Sequence, residues 1–484
     1  MDRTQKLVTT ALLFFSLPLF TTAQSDAHYW TNQFGAKGLL LNGAVIASTE
    51  DESAIFYNPG AMGNGEEFGL SLSFFTPTFA VLRTKDYLGA GSIVRDKNLG
   101  FASGYGAIGF KPFKSEKLRA SIASFSRYRS DLRLRAREVG NVENQSEMLF
   151  LGDLEFQRSL SERWWGFGLA YRVNENLSVG ATQFITFHSE NTSLTIQKEI
   201  VHKDNPYELL LGWRSKFKYS FSTRGGLLTK FGLSAKLGNM KIGLVATTPT
   251  YYNYSGSAGY DLADLKSYGR DSTVLLSNLT DAEVKKFKSP WSVGLGLDFT
   301  IKKTRVSFST EYFRKIPRYA IIEDTDDPFD GLANGGREQT TVVQTENQTV
   351  LNVALGLQTR RSEKSTIILG FRTDFNQRII GQDLQTLNFL STTPSVFHFS
   401  FGGLFTFKNS QFSMGADYAF GRKKTDGRLV DLSNITPENL FEFSGEGSVK
   451  SRYQSVVFIF TYDFILKSWK ERKRKNGGKG AGGD

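Results

Sequence analysis

From Phe68 onward, apolar and polar residues alternate along the chain with a period of two, over unusually long runs. Trp291, Val293, Leu295, Leu297, Phe299 and Ile301 share one face, and Ser292, Gly294, Gly296, Asp298 and Thr300 share the other. Lys302-Lys303-Thr304 turns the chain, and Val306, Phe308 and Tyr312 resume the pattern. The unit recurs at Phe397–Phe407 followed by Phe412–Phe420, at Leu351–Leu357 followed by Ile367–Phe375, and at Val456–Phe464. Such alternation predicts β-strands with one apolar face. Strands of about ten residues exceed the usual sandwich strand and suit a tilted membrane crossing of about 9–11 residues.

Turn spacing predicts the architecture. Short turns fall near Pro112–Glu116, Val173–Glu175, Gly238–Asn239, Lys302–Thr304, Arg361–Glu363 and Lys408–Asn409. Long polar connections fall near 85–98, 135–162, 198–223, 256–289, 321–344, 381–394 and 424–450. Six short turns and seven long loops join fourteen strands. Short turns on one side and long loops on the other mark a bacterial outer-membrane barrel. The expected fold is all-β: a fourteen-stranded antiparallel transmembrane β-barrel over 67–466, in the outer membrane of a Gram-negative bacterium. Two long loops carry apolar residues. Val274, Leu275, Leu276 and Leu279 precede Thr280-x-x-Glu283, a capping box that predicts a short helix to Phe287. Thr436-Pro437 predicts another helical turn with Leu440 and Phe441.

The ends differ from this middle. Asp2, Arg3 and Lys6 precede an apolar run from Leu7 to Phe20, and Thr21-Thr22-Ala23 supplies small residues. That is a secretory signal peptide over 1–23. As a helix the apolar run reaches about 21 Å, short of the roughly 30 Å hydrocarbon core. About half of the net charge of +11 lies at the other end, where 467–484 holds seven basic and two acidic residues and reads as a disordered periplasmic tail. An exported chain with half of its excess charge in a terminal tail argues against nucleic acid as a partner. The chain has no Cys, which excludes thiolate catalysis and Cys-metal sites.

Motifs for chemistry are few. Gly104-x-Gly106-x-x-Gly109 matches a dinucleotide fingerprint, but Phe110-Lys111-Pro112 follows it rather than a helix. Strand glycines that make room for a plug are the better reading, and no cofactor is implied. His28, His188, His202 and His398 lack metal spacing. His188-Ser189-Glu190-Asn191 allows a serine esterase as a rival reading. A polar patch where the fifth strand leaves the membrane is preferred, and no enzyme activity is expected. Inward positions of the last strands mix Val457, Ile459 and Leu404 with Ser455, Thr461, Arg372 and Asp374. That mixture fits either an apolar ligand path with polar guides or packing against a plug.

The stretch before the first strand, Gly38 to Gly63, runs from Leu39-Leu40-Leu41 and Val45-Ile46 through a polar Ser48–Ser53 to Ala54-Ile55-Phe56-Tyr57 and Asn58-Pro59-Gly60. Pro59 holds Asn58 out of helix, which makes a turn. Gly43, Ala44, Asp51, Ser53, Ala54, Asn58 and Pro59 together resemble the N-terminal hatch of the FadL-type outer-membrane transporters for hydrophobic compounds. Gly60-Ala61 departs from the family's usual Ala-Gly. The resemblance implies that 24–66 is a hatch filling the barrel lumen, with Leu40, Val45, Ile46, Phe56, Asn58 and Pro59 along the ligand path.

It also implies passive uptake of long-chain fatty acids or other hydrophobic compounds. The partners would be those small molecules together with outer-membrane lipid and lipopolysaccharide. An alternative is a FadL-like barrel that binds other envelope proteins in a secretion system. Family barrels have a kink in the third strand that opens the wall sideways. Here the third strand, Leu118 to Leu134, places Ser124 and Ser126 on its outward face. Its inward face carries Arg119, Phe125, Arg127, Arg129 and Arg133, which suit a carboxylate head group. A one-residue bulge is the simpler account of that broken pattern.

Overall fold

The computed structural model describes residues 28–466, apart from 50, 65–67, 74–75, 103, 253–256, 270–271, 284–286, 325–340, 380–393, 408–409, 429, 434 and 443–444. The signal peptide and the basic tail therefore lie outside the described residues, as does the turn at Lys408–Asn409.

Fourteen antiparallel strands close on themselves. They are β1 (Phe68–Ser73 and Thr76–Lys85), β2 (Ile93–Ala102 and Tyr105–Phe110), β3 (Leu118–Val142), β4 (Gln145–Arg172) and β5 (Leu177–His202). Then come β6 (Leu209–Leu237), β7 (Met240–Thr247 with Tyr251–Tyr252), β8 (Ser292–Ile301), β9 (Thr304–Phe313) and β10 (Val350–Arg360). β11 (Ser365–Asp374), β12 (Val396–Phe407), β13 (Ser410–Arg428) and β14 (Gly445–Leu466) complete the wall. β14 pairs back onto β1, with Leu70 opposite Phe464 and Thr78 opposite Val457.

Closure follows from the solvent. In hydrocarbon every backbone donor and acceptor must be paired within the protein, and a closed sheet does this without an edge. The alternation sets which side faces lipid. On β8, Ser292, Gly294, Gly296 and Asp298 point inward and are buried, while Val293, Phe299 and Ile301 are exposed. The aromatic rows of β12 and β14 (Phe399, Phe401, Phe405, Phe458, Phe460) likewise face out.

The long outer segments differ from the sequence expectation. Residues 135–162 and 198–223 are for the most part continued strand: β3 and β4 meet at a tight turn with Asn144 at φ 60°, and β5 and β6 run on to His202 and from Leu209. Their apolar residues change sides along the strand. In the lower part of β4, Trp165, Phe167, Leu169 and Tyr171 face outward, but farther up Phe150, Leu154, Phe156 and Leu160 are buried inside. Lipid covers the outer face below, and a second core covers the inner face above. That core joins these strands to Tyr87, Leu88, Ile321, Ile322, Val343, Val430, Leu432 and Leu440 from the outer loops.

Among the described residues no helix opens at the Thr280-x-x-Glu283 box, whose residues are strand. Ser257–Tyr268 and Ser272–Glu283 form a hairpin that extends the sheet from β6, because the segment can pair with Gly212–Phe221. At Thr436–Pro437 the backbone makes only a turn, and Leu440 is buried in the outer core, which makes it part of a cap. A further hairpin, Ile316–Asp324 with Thr341–Asn347, stands beside it.

Replacing Leu297 on β8 or Phe460 on β14 with Arg would put a charge into the lipid-facing row. A loss of roughly 2–4 kcal/mol of folding stability is expected near the midplane, read from folding titrations into bilayers. Unchanged stability at both sites would reverse the register.

Candidate functional site: the lumen, its cavity and a break in the wall

The chain from His28 to Gly63 lies inside the barrel and is almost wholly buried. Three short helices shape it: α1 (Ala36–Leu40), α2 (Ala54–Tyr57) and α3 (Pro59–Met62). Asn58 organises the second half. Its extended backbone (φ −153°, ψ 101°) ends α2, and its side-chain carbonyl accepts from the Gly60 N–H at 2.9 Å to cap α3. Its amide donates to the Ile46 carbonyl at 2.8 Å and to the Leu233 carbonyl of β6 at 2.9 Å. Pro59 occupies the first turn of α3, where its missing N–H costs nothing.

Wall glycines receive this segment. A Cβ at Gly370 would lie 2.7 Å from the Leu40 carbonyl, and one at Gly296 would strike the Ala47 backbone. At Gly232 and Gly180 it would strike the backbone around Asn58–Gly60. Gly109, from the false dinucleotide motif, has no room for a side chain because the Glu52 carboxylate fills the space. Backbone thus lies on backbone, with polar side chains fixing the register. Ser400 donates to the Leu40 carbonyl at 2.7 Å, the Ile46 N–H to Ser309 Oγ at 3.1 Å, and Asn42 to Asp417 at 3.0 Å. Asp417 also pairs with His398 at 2.8 Å, and Arg372 bonds Asn42 and the Thr31 carbonyl.

Above this packing lies a partly open cavity, with about 940 Å³ of atom-free space that includes adjoining solvent. Its lining mixes aromatic rings, among them Tyr29, Phe56, Trp164, Tyr252, Phe287 and Phe313, and the aliphatic Leu160 and Leu228 with charged and polar groups such as Glu162, Lys288 and Arg378. A smaller cavity of about 320 Å³ lies beneath, lined by Asn32, Gln33, Ile46 and Tyr57. Tyr29, Trp30, Phe56, Arg127, Lys230 and Glu311 border both and form the neck between them. Glu311 is engaged by the Trp30 indole at 2.8 Å and Ser292 at 2.6 Å. The two cations share the Phe56 ring, Arg127 at 5.4 Å and Lys230 at 4.7 Å from its centroid. Arg127 donates to the Tyr29 carbonyl, yet its Nη1 has no partner, and Lys230 makes no hydrogen bond among the described residues.

Arg127 sits at a bulge. The β3–β4 register shifts between Ser126 and Tyr128, so Arg127 is the extra residue. Below it Arg119, Ser121, Ala123 and Phe125 face inward; above it the inward set is Tyr128, Leu132, Leu134 and Ala136. The shift corrects the expected inward set. Arg129 and Arg133 lie on the outward face, where Arg133 is exposed. Ser124 and Ser126 are half-buried.

The wall is broken beside this bulge. β2 pairs with β3 only between Tyr105–Phe110 and Ala120–Phe125. Its outer half, Ile93–Ala102, pairs with β1, and no ladder joins it to β3 among the described residues. What remains is the Ser126 N–H on the Gly104 carbonyl at 3.4 Å and Asn98 on the Asp131 carbonyl at 3.3 Å. The N-terminal segment covers the bulge from within. Asn32 donates to the carbonyls of Arg127 at 3.0 Å and Ser126 at 3.4 Å.

Of the residues expected on a ligand path, Phe56 borders both cavities and Ile46 the smaller one, whereas Leu40, Val45, Asn58 and Pro59 pack against neighbours within the plug and the wall. Ile459 and Leu404 pack with the same segment. Asn32, Lys230, Trp30 and Glu311 were not anticipated. Lys230 alternates in phase with Gly232 on an inward face, which was the available signal. His188 and Ser189 lie on opposite faces of β5, so they form no dyad. His188 is buried between Phe221 and Phe287, with Glu162 at 3.3 Å.

No family model matches the sequence, and no curated protein matches it. Solved structures do. A FadL homologue from Pseudomonas aeruginosa superposes with a TM-score of 0.59 at 11% identity, covering 91% of this chain and 100% of that one. The chain has the FadL-type barrel fold. The toluene transporter TodX of Pseudomonas putida superposes with a TM-score of 0.58 at 13% identity, over 90% of this chain and 99% of its own. At such identity the FadL-type likeness lies in the fold, and the side chains of the cavity are this protein's own.

At the foot of the plug, burial and the neighbouring Asp51 push Glu52 up to about 8. A carboxyl group raised in this way holds a proton in the docked state that it loses when free. Stability is therefore full below the ordinary value near 4.5 and is lost as pH rises toward about 8. Protease accessibility of 36–58, normalised for protease activity, should rise between about pH 5 and about pH 8. Glu52→Gln should reduce that rise, the buried Asp51 beside it being raised in the same sense. A wild-type profile that is flat or reversed would refute the assignment.

Proposed function

We propose that the protein is an outer-membrane channel for passive uptake of hydrophobic compounds, long-chain fatty acids among them, with sideways release into the bilayer. The observation that carries this reading is a cavity of mixed aromatic and charged lining beside a break in the β2–β3 ladder. An aqueous pore does not suit an apolar solute, and a lined cavity does. The neighbouring structures include one described as a FadL homologue and one as a toluene transporter, which favours the same class of cargo. The ligand descends from the outer cavity through the neck at Phe56, displaces Asn32 from the bulge, and leaves between β2 and β3 into lipid. Arg127 and Lys230 greet a carboxylate if the cargo has one, since each has donor capacity that the protein leaves unused.

Two measurements on reconstituted vesicles test this. Deleting Arg127 removes the bulge and lets β3 continue in register. Uptake of a hydrophobic probe should fall at least about tenfold in a barrel shown to be folded. Arg127→Met with Lys230→Met should weaken binding of dodecanoate by about 10–100-fold, as expected for a lost charge-assisted hydrogen bond, while dodecanol binding holds. Normal uptake in the folded deletion variant would remove the lateral route.

A further inference from the structure

The outward faces of β13, β14, β1 and β2 carry an arrangement that a sheet normally avoids. Arg422 stands opposite Arg452, Arg452 opposite Arg83, and Arg83 opposite Arg95, so four arginines form one row across four adjacent strands. At the next outward position Lys424 stands opposite Lys450 and Lys450 opposite Lys85. Lys97 lies one step below the row on β2, opposite Val81. All eight side chains are exposed. None forms an ion pair or a hydrogen bond with another side chain among the described residues. Asp426 is the one acidic residue on these outward faces among the residues whose side chains are described.

Like charges directly opposite each other on neighbouring strands destabilise a sheet. The same wall shows the alternative. On β3 and β4, Arg135 faces Glu155 and bonds it at 2.5 Å, and Arg137 faces Asp153 and bonds it at 2.9 Å. The row at Arg83 has no such partner among the described residues, which points to compensation from outside the chain.

Position identifies the source. Two or three outward positions below the row, past Val81, Lys97, Phe420 and Gln454, lie Phe79, Leu99, Tyr418 and Phe458, exposed in the lipid-facing band. The row stands at the outer rim of that band, since β1 and β2 join through the outer loop that holds Tyr87 and Leu88. Strands about 4.8 Å apart spread four guanidinium groups over roughly 14 Å along the membrane surface. Guanidinium forks match phosphate oxygens in pairs. We propose that this face binds the phosphate groups of a phosphorylated glycolipid of the outer leaflet, with the acyl chains lying on the apolar band beneath. The inference rests on the reading that the barrel stands in an outer membrane; it does not depend on what the barrel transports.

The test uses the purified barrel in detergent, with bisphosphorylated lipid A, its dephosphorylated form and inorganic pyrophosphate as probes. Native mass spectrometry should show the bisphosphorylated lipid retained at least about tenfold over the dephosphorylated one. Arg83→Gln/Arg95→Gln/Arg422→Gln/Arg452→Gln should lose that preference and, without lipid, should melt no lower than the wild type. Arg83→Gln/Arg452→Gln, a smaller change in case the quadruple variant does not fold, should lose part of it. Arg135→Gln/Arg137→Gln should keep it. Wild-type lipid retention in the folded variants would overturn the proposal. So would equal retention of the dephosphorylated lipid, or full competition by pyrophosphate, which would make the face a site for free anions. Probe uptake is measured on the same variants, so that a failed lipid result is separated from a failed transport reading.

Discussion

The barrel depends on one requirement, that every backbone amide at membrane depth find a partner inside the protein. Thirteen strand junctions meet it with ladders. The junction between β2 and β3 meets it only as far as Phe125, and there other groups take over. The bulge at Arg127 turns carbonyls out of register, and Asn32 supplies the donors that β2 does not. The N-terminal segment is therefore part of the wall as well as its filling. Its own backbone is satisfied by α1–α3, by the Asn58 bonds and by the strand side chains of Ser309 and Ser400. A segment so placed needs strands whose inward positions are often glycine, because only then can two backbones approach closely.

Much of this was legible. The inward row Ser292, Gly294, Gly296 and Asp298 and the outward aromatics of β12 and β14 follow from a period of two, because lipid imposes a strong contrast between faces. Turns at Gly238 and Lys302 were legible because a two-residue link leaves little choice. Residues 135–162 and 198–223 were not. There the apolar set moves from outward positions such as Trp165 to inward positions such as Phe156, because the solvents on the two faces exchange roles above the membrane. A fixed-phase reading sees that change as loss of pattern and assigns a loop.

The plug shows a different limit. Asn58-Pro59 announced a turn, and the chain delivers a helix cap with two further bonds to Ile46 and Leu233. Which wall residues receive it could not be read, since alternation tells inside from outside and nothing about who faces whom. The glycines were the evidence, and only those at Gly104, Gly106 and Gly109 were read as room for a plug. Gly180, Gly232, Gly296 and Gly370 all fall on inward positions, where a lumen without a plug has no need of them. The same limit explains the third strand. Arg129 and Arg133 were expected inside because a single register was carried through. One bulge residue sends them out and leaves Arg127 alone at the neck.

The way the break is sealed bears on how it could open. A ladder between two strands is a cooperative run of backbone bonds, and separating it in hydrocarbon exposes groups that cannot find water. The seal at β3 is instead a few separate bonds: two donor contacts from Asn32, a long bond from Ser126 to Gly104 and one from Asn98 to Asp131. A net contribution of about 1 kcal/mol per bond makes that seal weak beside any full ladder. In the proposed route, a ligand seated at the neck lies within the same small cavity that Asn32 lines, so its own apolar surface can replace the seal as it moves. The rest of the plug, fixed by backbone contacts at the glycines, can stay where it is. Opening then becomes a local exchange at one strand, and the barrel never has to release the segment that fills it.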